Sequence, residues 1–150
     1  MKIILCYDES DDSPHSVNFV DSKNRFVGFS LNQKCCEMVG WKFEPYNECY
    51  KELMKQQKTS ELFDMEFVSS TPENFIDKAN ELLSGFDFSD NLPIMENNSE
   101  KEYKYDNSVK FALDSNSGGS IYLVLSNVHN GYYSHGFEFN MGKNKGEDCL

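Results

Sequence analysis

The strongest constraint on the fold comes from residues 119–139, which read GSIYLVLSNVHNGYYSHGFEF. Two stretches of alternating apolar and polar residues flank Asn130-Gly131, and this dipeptide favours a two-residue type I′ turn because both central positions need positive φ. Counting outward from such a turn places Val124 opposite Phe137 and makes one side of the pair apolar. The sequence therefore predicts a β-hairpin here.

A third strand is predicted directly before this hairpin. Residues 109–113 read VKFAL, and the flexible segment 115–120 (SNSGGS) joins them to the hairpin. Because such a short connection favours pairing of consecutive strands, the C-terminal third is expected to form a three-stranded meander. Its central strand is apolar on both sides, which predicts helices packed over part of the sheet.

Earlier strands follow from β-branched and aromatic runs bounded by turn residues. They are predicted over residues 1–7, 16–20, 25–31, 35–43 and 62–68, with 16–20 and 25–31 forming a hairpin. Gly40 would interrupt either a short helix or a bulged strand. The alternation of Val39, Trp41 and Phe43 favours the strand, with these three side chains on one side.

Two amphipathic helices are predicted between the strands. The first covers residues 46–57, where apolar residues recur at helical spacing. The second begins at Thr71-Pro72-Glu73, which supplies a capping hydroxyl, a proline at the first helical position and an acid near the positive end of the dipole. Gly85 is expected to end it.

These elements predict an α+β fold with one antiparallel sheet of about six strands, two helices on one face and a C-terminal β-meander. The whole chain, 1–150, is expected to be a single domain. Residues 87–106 are polar and acidic, so they are predicted to form an exposed loop in which only Pro93, Ile94 and Met95 reach the core.

The charge balance limits the partners that the chain can bind. Twenty-five acids stand against fourteen basic residues, of which only Arg25 is an arginine, and the formal net charge is -11. Such a field repels nucleic acids and anionic membranes and accelerates association with basic proteins. The alternative is that the acidity only maintains solubility.

Clustered carboxylates give the candidate partner-binding residues. Four acids lie within DESDD, and further acids follow near residue 100. The first cluster alternates like the start of an EF-hand loop, but Ser13 and Phe19 stand where that loop needs glycine and glutamate. No metal site and no cofactor are predicted. The candidate contacts are Asp8, Glu9, Asp11, Asp12, Glu100 and Glu102.

Motifs of known catalytic centres are absent from the sequence, so we expect a protein that is not an enzyme. The alternative is a small thiol-dependent enzyme in which Cys36 acts with His129 or His135. A phage-derived nucleic-acid mimic is a further possibility. Five cysteines without Cys-x-x-Cys spacing, and no signal peptide, indicate reduced thiols and a cytoplasmic location.

Four short segments carry a resemblance to a known family. They are CCEMV at 35–39, VKFAL at 109–113, GSIYLVL at 119–125 and HNGYYSHGFEF at 129–139. Together they resemble an uncharacterised family of small bacterial and phage domains, to which no chemistry is assigned. The size and acidity are similar to those of cytosolic immunity proteins, which neutralise basic toxin domains in bacterial competition. This second likeness implies an inhibitor of a basic toxin, with a nuclease as the expected target.

Overall fold

The computed structural model describes residues 1–9, 12–32, 37–47, 59–68, 70–101, 104–129 and 134–150. These ranges contain eleven strands, one 3-10 helix and one α-helix. The strands are β1 (Lys2–Tyr7), β2 (Pro14–Val20), β3 (Phe26–Ser30), β4 (Met38–Pro45), β5 (Glu66–Phe67), β6 (Phe86–Phe88), β7 (Ile94–Lys101), β8 (Lys104–Ser115), β9 (Ser120–His129), β10 (Gly136–Met141) and β11 (Asn144–Cys149). The 3-10 helix covers Thr59–Asp64, and the α-helix, α1, covers Glu73–Leu82.

The strands form two antiparallel sheets. The five-stranded sheet has the order β1-β2-β3-β10-β11, and the six-stranded sheet has the order β5-β4-β9-β8-β6, with β7 also paired to β8. The fold is therefore α+β in a coarse sense, dominated by antiparallel sheet. The prediction of a single sheet was wrong, because the strands divide between two.

Aromatic rings connect the two sheets across a shared core. Phe19 of the five-stranded sheet meets Trp41 of the six-stranded sheet edge-on, with centroids 5.8 Å apart. Phe137 meets Phe111 in the same manner at 6.1 Å. All four side chains are buried, so the inner faces of the two sheets pack against each other as in a sandwich. The residues that point outward from the strands do not contribute to this core.

The predicted hairpin between β9 and β10 was wrong. β9 pairs with β4 and β8, whereas β10 pairs with β3 and β11 in the other sheet. Val124 accordingly lies opposite Lys42 and Lys110 rather than Phe137. Of the predicted meander, only the β8-β9 pair is confirmed. Residues 130 and 131, the predicted turn, lie outside the described residues.

Several local predictions are confirmed. β1 covers nearly the whole predicted first strand, and β2 and β3 form the predicted hairpin, in which Val20 pairs with Phe26. Val39, Trp41 and Phe43 are all buried on the inner side of β4. Period-two alternation therefore identified the core-facing side of this strand correctly.

The second predicted helix is confirmed as α1, although its start differs from the prediction. Pro72 is the N-cap and no side chain caps the helix. The Thr71 hydroxyl instead accepts a hydrogen bond from the backbone N–H of Val68 at 2.8 Å. Gly85 follows the helix with φ +89°. The first predicted helix, over 46–57, lies outside the described residues except for 46 and 47, which are not helical.

Two further predictions need correction. Residues 87–106 do not form a loop, because β6, β7 and the start of β8 occupy most of this segment. Ile94 and Met95 are 46% and 42% exposed, so they are not core residues. The strand predicted over 62–68 is reduced to Glu66–Phe67, because the 3-10 helix takes its first residues.

The turn between β2 and β3 engages the chain's single arginine. Arg25 is 8% exposed, and its Nε donates to Asp21 Oδ2 at 2.7 Å while Nη1 contacts Asp90 at 2.8 Å. Asp21 also accepts the backbone N–H of Phe88 at 3.2 Å, which ties this turn to β6. The arginine is therefore used inside the fold.

Candidate partner-binding surface

The structure places three of the six predicted contact residues on the surface at the end of β1. Asp8, Glu9 and Asp12 are exposed. Asp11 and Glu102 lie outside the described residues. Glu100 belongs to β7 by its backbone, and its side chain is outside the described part. Surface exposure is therefore seen for the N-terminal cluster alone, and partner binding by the six residues stays a prediction.

The register of the five-stranded sheet brings two further carboxylates together. Glu138 of β10 lies directly opposite Glu147 of β11. Both are exposed, and Asp148 is exposed beside them. These three residues line a depression of about 590 Å³ on the outer face of the sheet. Sequence reasoning did not select any of them as a contact.

Asp8, one of the N-terminal acids, approaches the same depression through His15. Asp8 Oδ1 lies 3.4 Å from Nδ1 of His15, and His15 lines the depression. The Asp8 side chain is 69% exposed. We call the surface formed by Asp8, Glu138 and Glu147 the acidic face. It combines residues from the first loop with residues from the last two strands.

A glycine forms the floor beside Glu138. Gly28 pairs with Glu138 on one side and with Asn18 on the other. A Cβ at Gly28 would lie 2.9 Å from Asn18 Oδ1 and 3.3 Å from Glu138 Oε1. The missing side chain therefore leaves room between these polar groups, and a larger residue would fill part of the depression.

A nonpolar contact fixes the register that aligns the two glutamates. A Cβ at Gly146 would lie 2.8 Å from the ring of Phe139, its partner on β10. Gly142 has φ +77° in the turn between the strands, a conformation that glycine adopts without strain. The turn and the ring together favour the observed register of β11 against β10, and this register places Glu147 opposite Glu138.

The two opposed glutamates of the acidic face lack an ion-pair partner in the described part of the chain, whereas Asp8 lies beside His15. Within the described residues, Glu138 and Glu147 have no ion-pair partner, and no lysine or arginine lines the depression. Like charges directly opposite on neighbouring strands are destabilising. The opposed carboxylates of Glu138 and Glu147 therefore do not stabilise the folded chain.

The outer face of the six-stranded sheet is built differently. Lys110 Nζ lies 3.3 Å from Glu44 and 3.0 Å from Glu96, and Lys42 Nζ lies 2.9 Å from Glu44. We call these four residues the lysine network. They line a groove of about 390 Å³. Every carboxylate of the lysine network has a lysine partner.

The pKa shifts in the lysine network follow from these contacts. Burial raises the pKa of Glu44, but the hydrogen bond and charge of Lys42 and the charge of Lys110 outweigh it, so the pKa is lowered overall. Burial lowers the pKa of Lys110, but the Glu96 hydrogen bond and the Glu44 charge outweigh it, so the pKa is raised. Both shifts favour the ionised pair.

The histidines of the alternative thiol hypothesis are buried. His135 is 3% exposed, and its Nδ1 donates to the Ser30 carbonyl at 3.1 Å while Nε2 lies 3.7 Å from Glu37. His129 Nε2 lies 3.2 Å from the Asn107 amide nitrogen. Cys36 lies outside the described residues. Only the histidine half of the predicted pair is therefore visible.

Metal-ligand clusters and membrane-spanning helices are both absent from the described ranges. No three His, Cys, Asp or Glu side chains of those ranges are grouped so that they could hold a metal ion. Cys6 and Cys149 are free thiols. No helix in the same part of the chain has the length and apolar character needed to cross a bilayer.

Comparisons with family models, with curated proteins and with solved structures found no match to this chain.

Proposed function

We propose that this chain is a binding protein whose acidic face covers the basic surface of another protein. The carrying observation is the alignment of Glu138 with Glu147, two exposed carboxylates without a cationic partner in the described residues. A lysine or arginine from a partner between them would relieve their repulsion and form two charge-assisted hydrogen bonds. A bound partner would thus provide the cation that Glu138 and Glu147 lack among the described residues.

The chemistry of this face favours a basic partner such as a nuclease. The formal charge of -11 attracts such a protein over a distance of about 10 Å at ordinary ionic strength and raises the association rate. Occupation of a basic active site by the acidic face would exclude its anionic substrate. We therefore propose an immunity or inhibitor role against a basic toxin domain, exerted by occlusion and without catalysis.

Apolar surface near the acidic face supplies the contact area that holds a complex together. Ile4 lies in the same cross-strand row as Asn18, Gly28, Glu138 and Glu147, and it is 41% exposed. Tyr7, at the end of β1, is 45% exposed. Aromatic and apolar anchors of this kind slow dissociation, whereas rim charges mainly govern association.

The test is binding to the protein encoded beside this chain's gene, with its nuclease activity measured in parallel. We expect nanomolar binding at low salt, loss of nuclease activity at one-to-one stoichiometry, and weaker binding as salt rises. Glu138→Lys/Glu147→Lys should lower the affinity by about 100-fold.

The matched control is Asp77→Lys/Glu81→Lys, which changes the net charge equally on exposed positions of α1. This variant should change the affinity by less than about 5-fold through long-range charge alone. Equal losses in both variants would remove the acidic face as the contact surface. Absence of nanomolar binding at low salt would remove the inhibitor role.

A further inference from the structure

No strand among the described residues pairs with the outer edge of β11, whose backbone polar groups alternate in direction. His135 and Leu150 exchange two backbone hydrogen bonds at 3.0 Å, and this pair continues the β10-β11 register. Hydrogen-bonded and non-hydrogen-bonded pairs alternate in antiparallel sheets. Gly146 and Asp148 therefore face β10, whereas the N–H and C=O groups of Lys145 and Glu147 face away from the sheet.

These outward groups are available to a ligand. Lys145 and Glu147 are exposed, and within the described residues β11 pairs only with β10. The next outward N–H, that of Cys149, is already bound to the Asp148 carboxylate at 2.8 Å. The free stretch thus centres on Lys145 and Glu147.

The edges of β1 and β7 are less suited to a basic ligand. On β1, the Ile3 N–H donates to Asn80 Oδ1 at 2.6 Å and the Ile3 C=O accepts from Asn80 Nδ2 at 3.3 Å, so α1 covers that position. On β7, the carboxylate of Glu96 is bound to Lys110. Of the edges of β1, β7 and β11, that of β11 combines free backbone groups with a carboxylate that has no ion-pair partner in the described residues.

The geometry points to β11 as a docking edge for an extended basic segment of the partner, which would add a sixth strand to the five-stranded sheet. This inference rests on the proposed function and specifies its binding mode. A strand paired to Lys145 and Glu147 would present a side chain opposite Glu147 on the outer face. An arginine or lysine there lies about 5 Å from Glu147 and one strand further from Glu138.

A second copy of the chain is a poorer occupant of this edge. It could pair Lys145 with Glu147 across a twofold axis, but each copy carries a formal charge of -11. The acidic faces of the two copies would then join into one surface, and their mutual repulsion opposes association. A basic segment gains the same backbone hydrogen bonds without that cost.

The experiment uses two synthetic peptides of equal charge, each acetylated and amidated: RTRTRTRTR and the same peptide with N-methylated arginine backbones. The first can form a strand, whereas N-methylation of the arginines removes the N–H groups that would pair with Lys145 and Glu147. We expect RTRTRTRTR to bind the full chain about 10-fold more tightly than its N-methylated form. In hydrogen exchange, it should slow the amides of Lys145 and Glu147 by at least about 10-fold.

Two variants separate the backbone contribution from the charge contribution. Lys145→Pro removes an outward N–H that makes no bond within the sheet, and Lys145→Ala removes the same charge but keeps the N–H. The proline variant should bind RTRTRTRTR about 10-fold more weakly than the alanine variant. Hydrogen exchange on the unaltered chain does not depend on either variant folding.

The outcomes distinguish this inference from the proposed function. If Glu138→Gln/Glu147→Gln weakens both peptides equally and the Lys145 and Glu147 amides stay unprotected, strand addition is overturned while the acidic face stands. If neither peptide responds to that double variant, the acidic face fails as well. Protection of these amides without peptide, rising with protein concentration, would assign the edge to a second copy and overturn the inference.

Discussion

The outer faces of the two sheets handle carboxylates in opposite ways. On the six-stranded sheet, Lys110 contacts both Glu44 and Glu96, so the acids are neutralised within the fold. On the five-stranded sheet, Glu138 and Glu147 face each other, and neither makes an ion pair within the described residues. The difference shows that net charge alone does not define a binding surface, because only unpaired carboxylates are available to a partner.

The largest effect that this contrast predicts concerns affinity for the basic partner. Glu138→Gln/Glu147→Gln and Glu44→Gln/Glu96→Gln change the net charge equally, but only the first removes unpaired acids. We expect the first variant to lose about 30-fold in affinity and the second less than about 3-fold. Titration calorimetry with the proposed basic partner measures both. Equal losses would mean that only the total charge matters.

The next prediction concerns stability on the six-stranded sheet. Lys110→Met leaves Glu44 and Glu96 close together without their shared cation, and we expect the free energy of unfolding in urea to fall by about 1–2 kcal/mol. Lys42→Met is the matched control, because Lys42 contacts only Glu44. It should cost about 0.5 kcal/mol. Similar costs for the two variants would show that Lys110 does not hold the network together.

The lowered pKa of Glu44 gives a prediction about pH. Its ordinary value is 4.5, and a lowered folded-state pKa means that the unfolded chain binds the proton more tightly. The stabilisation is therefore complete above pH 4.5 and is lost as the pH falls through the folded-state pKa. Unfolding measured from pH 7 to 3 should show the advantage over Glu44→Gln shrinking only on the acid side. An advantage that is unchanged at low pH would contradict the shift.

The smallest predicted effect concerns the repulsion within the acidic face. Glu147→Thr replaces one of two opposed like charges by a residue that favours strands. We expect the free energy of unfolding to rise by about 0.5 kcal/mol, although partner binding weakens. Thermal unfolding at low salt measures the gain, and added salt should reduce it. A loss of stability would show that the pair is not repulsive in the folded chain.

Local features of the fold could be predicted from the sequence, but the division into two sheets could not. The alternating residues of β9 and β10 suggested a shared apolar side. In the structure, Phe137 instead reaches Phe111 across the core from the opposite sheet. Two strands that face one core from opposite sides show the same alternation as two strands of a hairpin. Periodicity identifies the buried side of a strand and does not identify its neighbour.

The candidate site was predictable only in part for a related reason. The exposed cluster around Asp8 was visible as a run of acids, whereas Glu138 and Glu147 lie apart in the sequence. Their meeting depends on the register of β11, which Gly146 and the ring of Phe139 help to fix. The outward position of Glu138 between two phenylalanines was the one available signal.

The burial of Arg25 has a consequence for how copies of this chain behave when crowded. Guanidinium groups bind carboxylates in two-pronged contacts that ammonium groups do not reproduce. With its single arginine held by Asp21 and Asp90, a molecule cannot use that kind of contact to grip the carboxylates of a neighbouring copy. The acids of one copy are therefore not bound by the arginine of another copy, but they remain accessible to the arginines of other proteins.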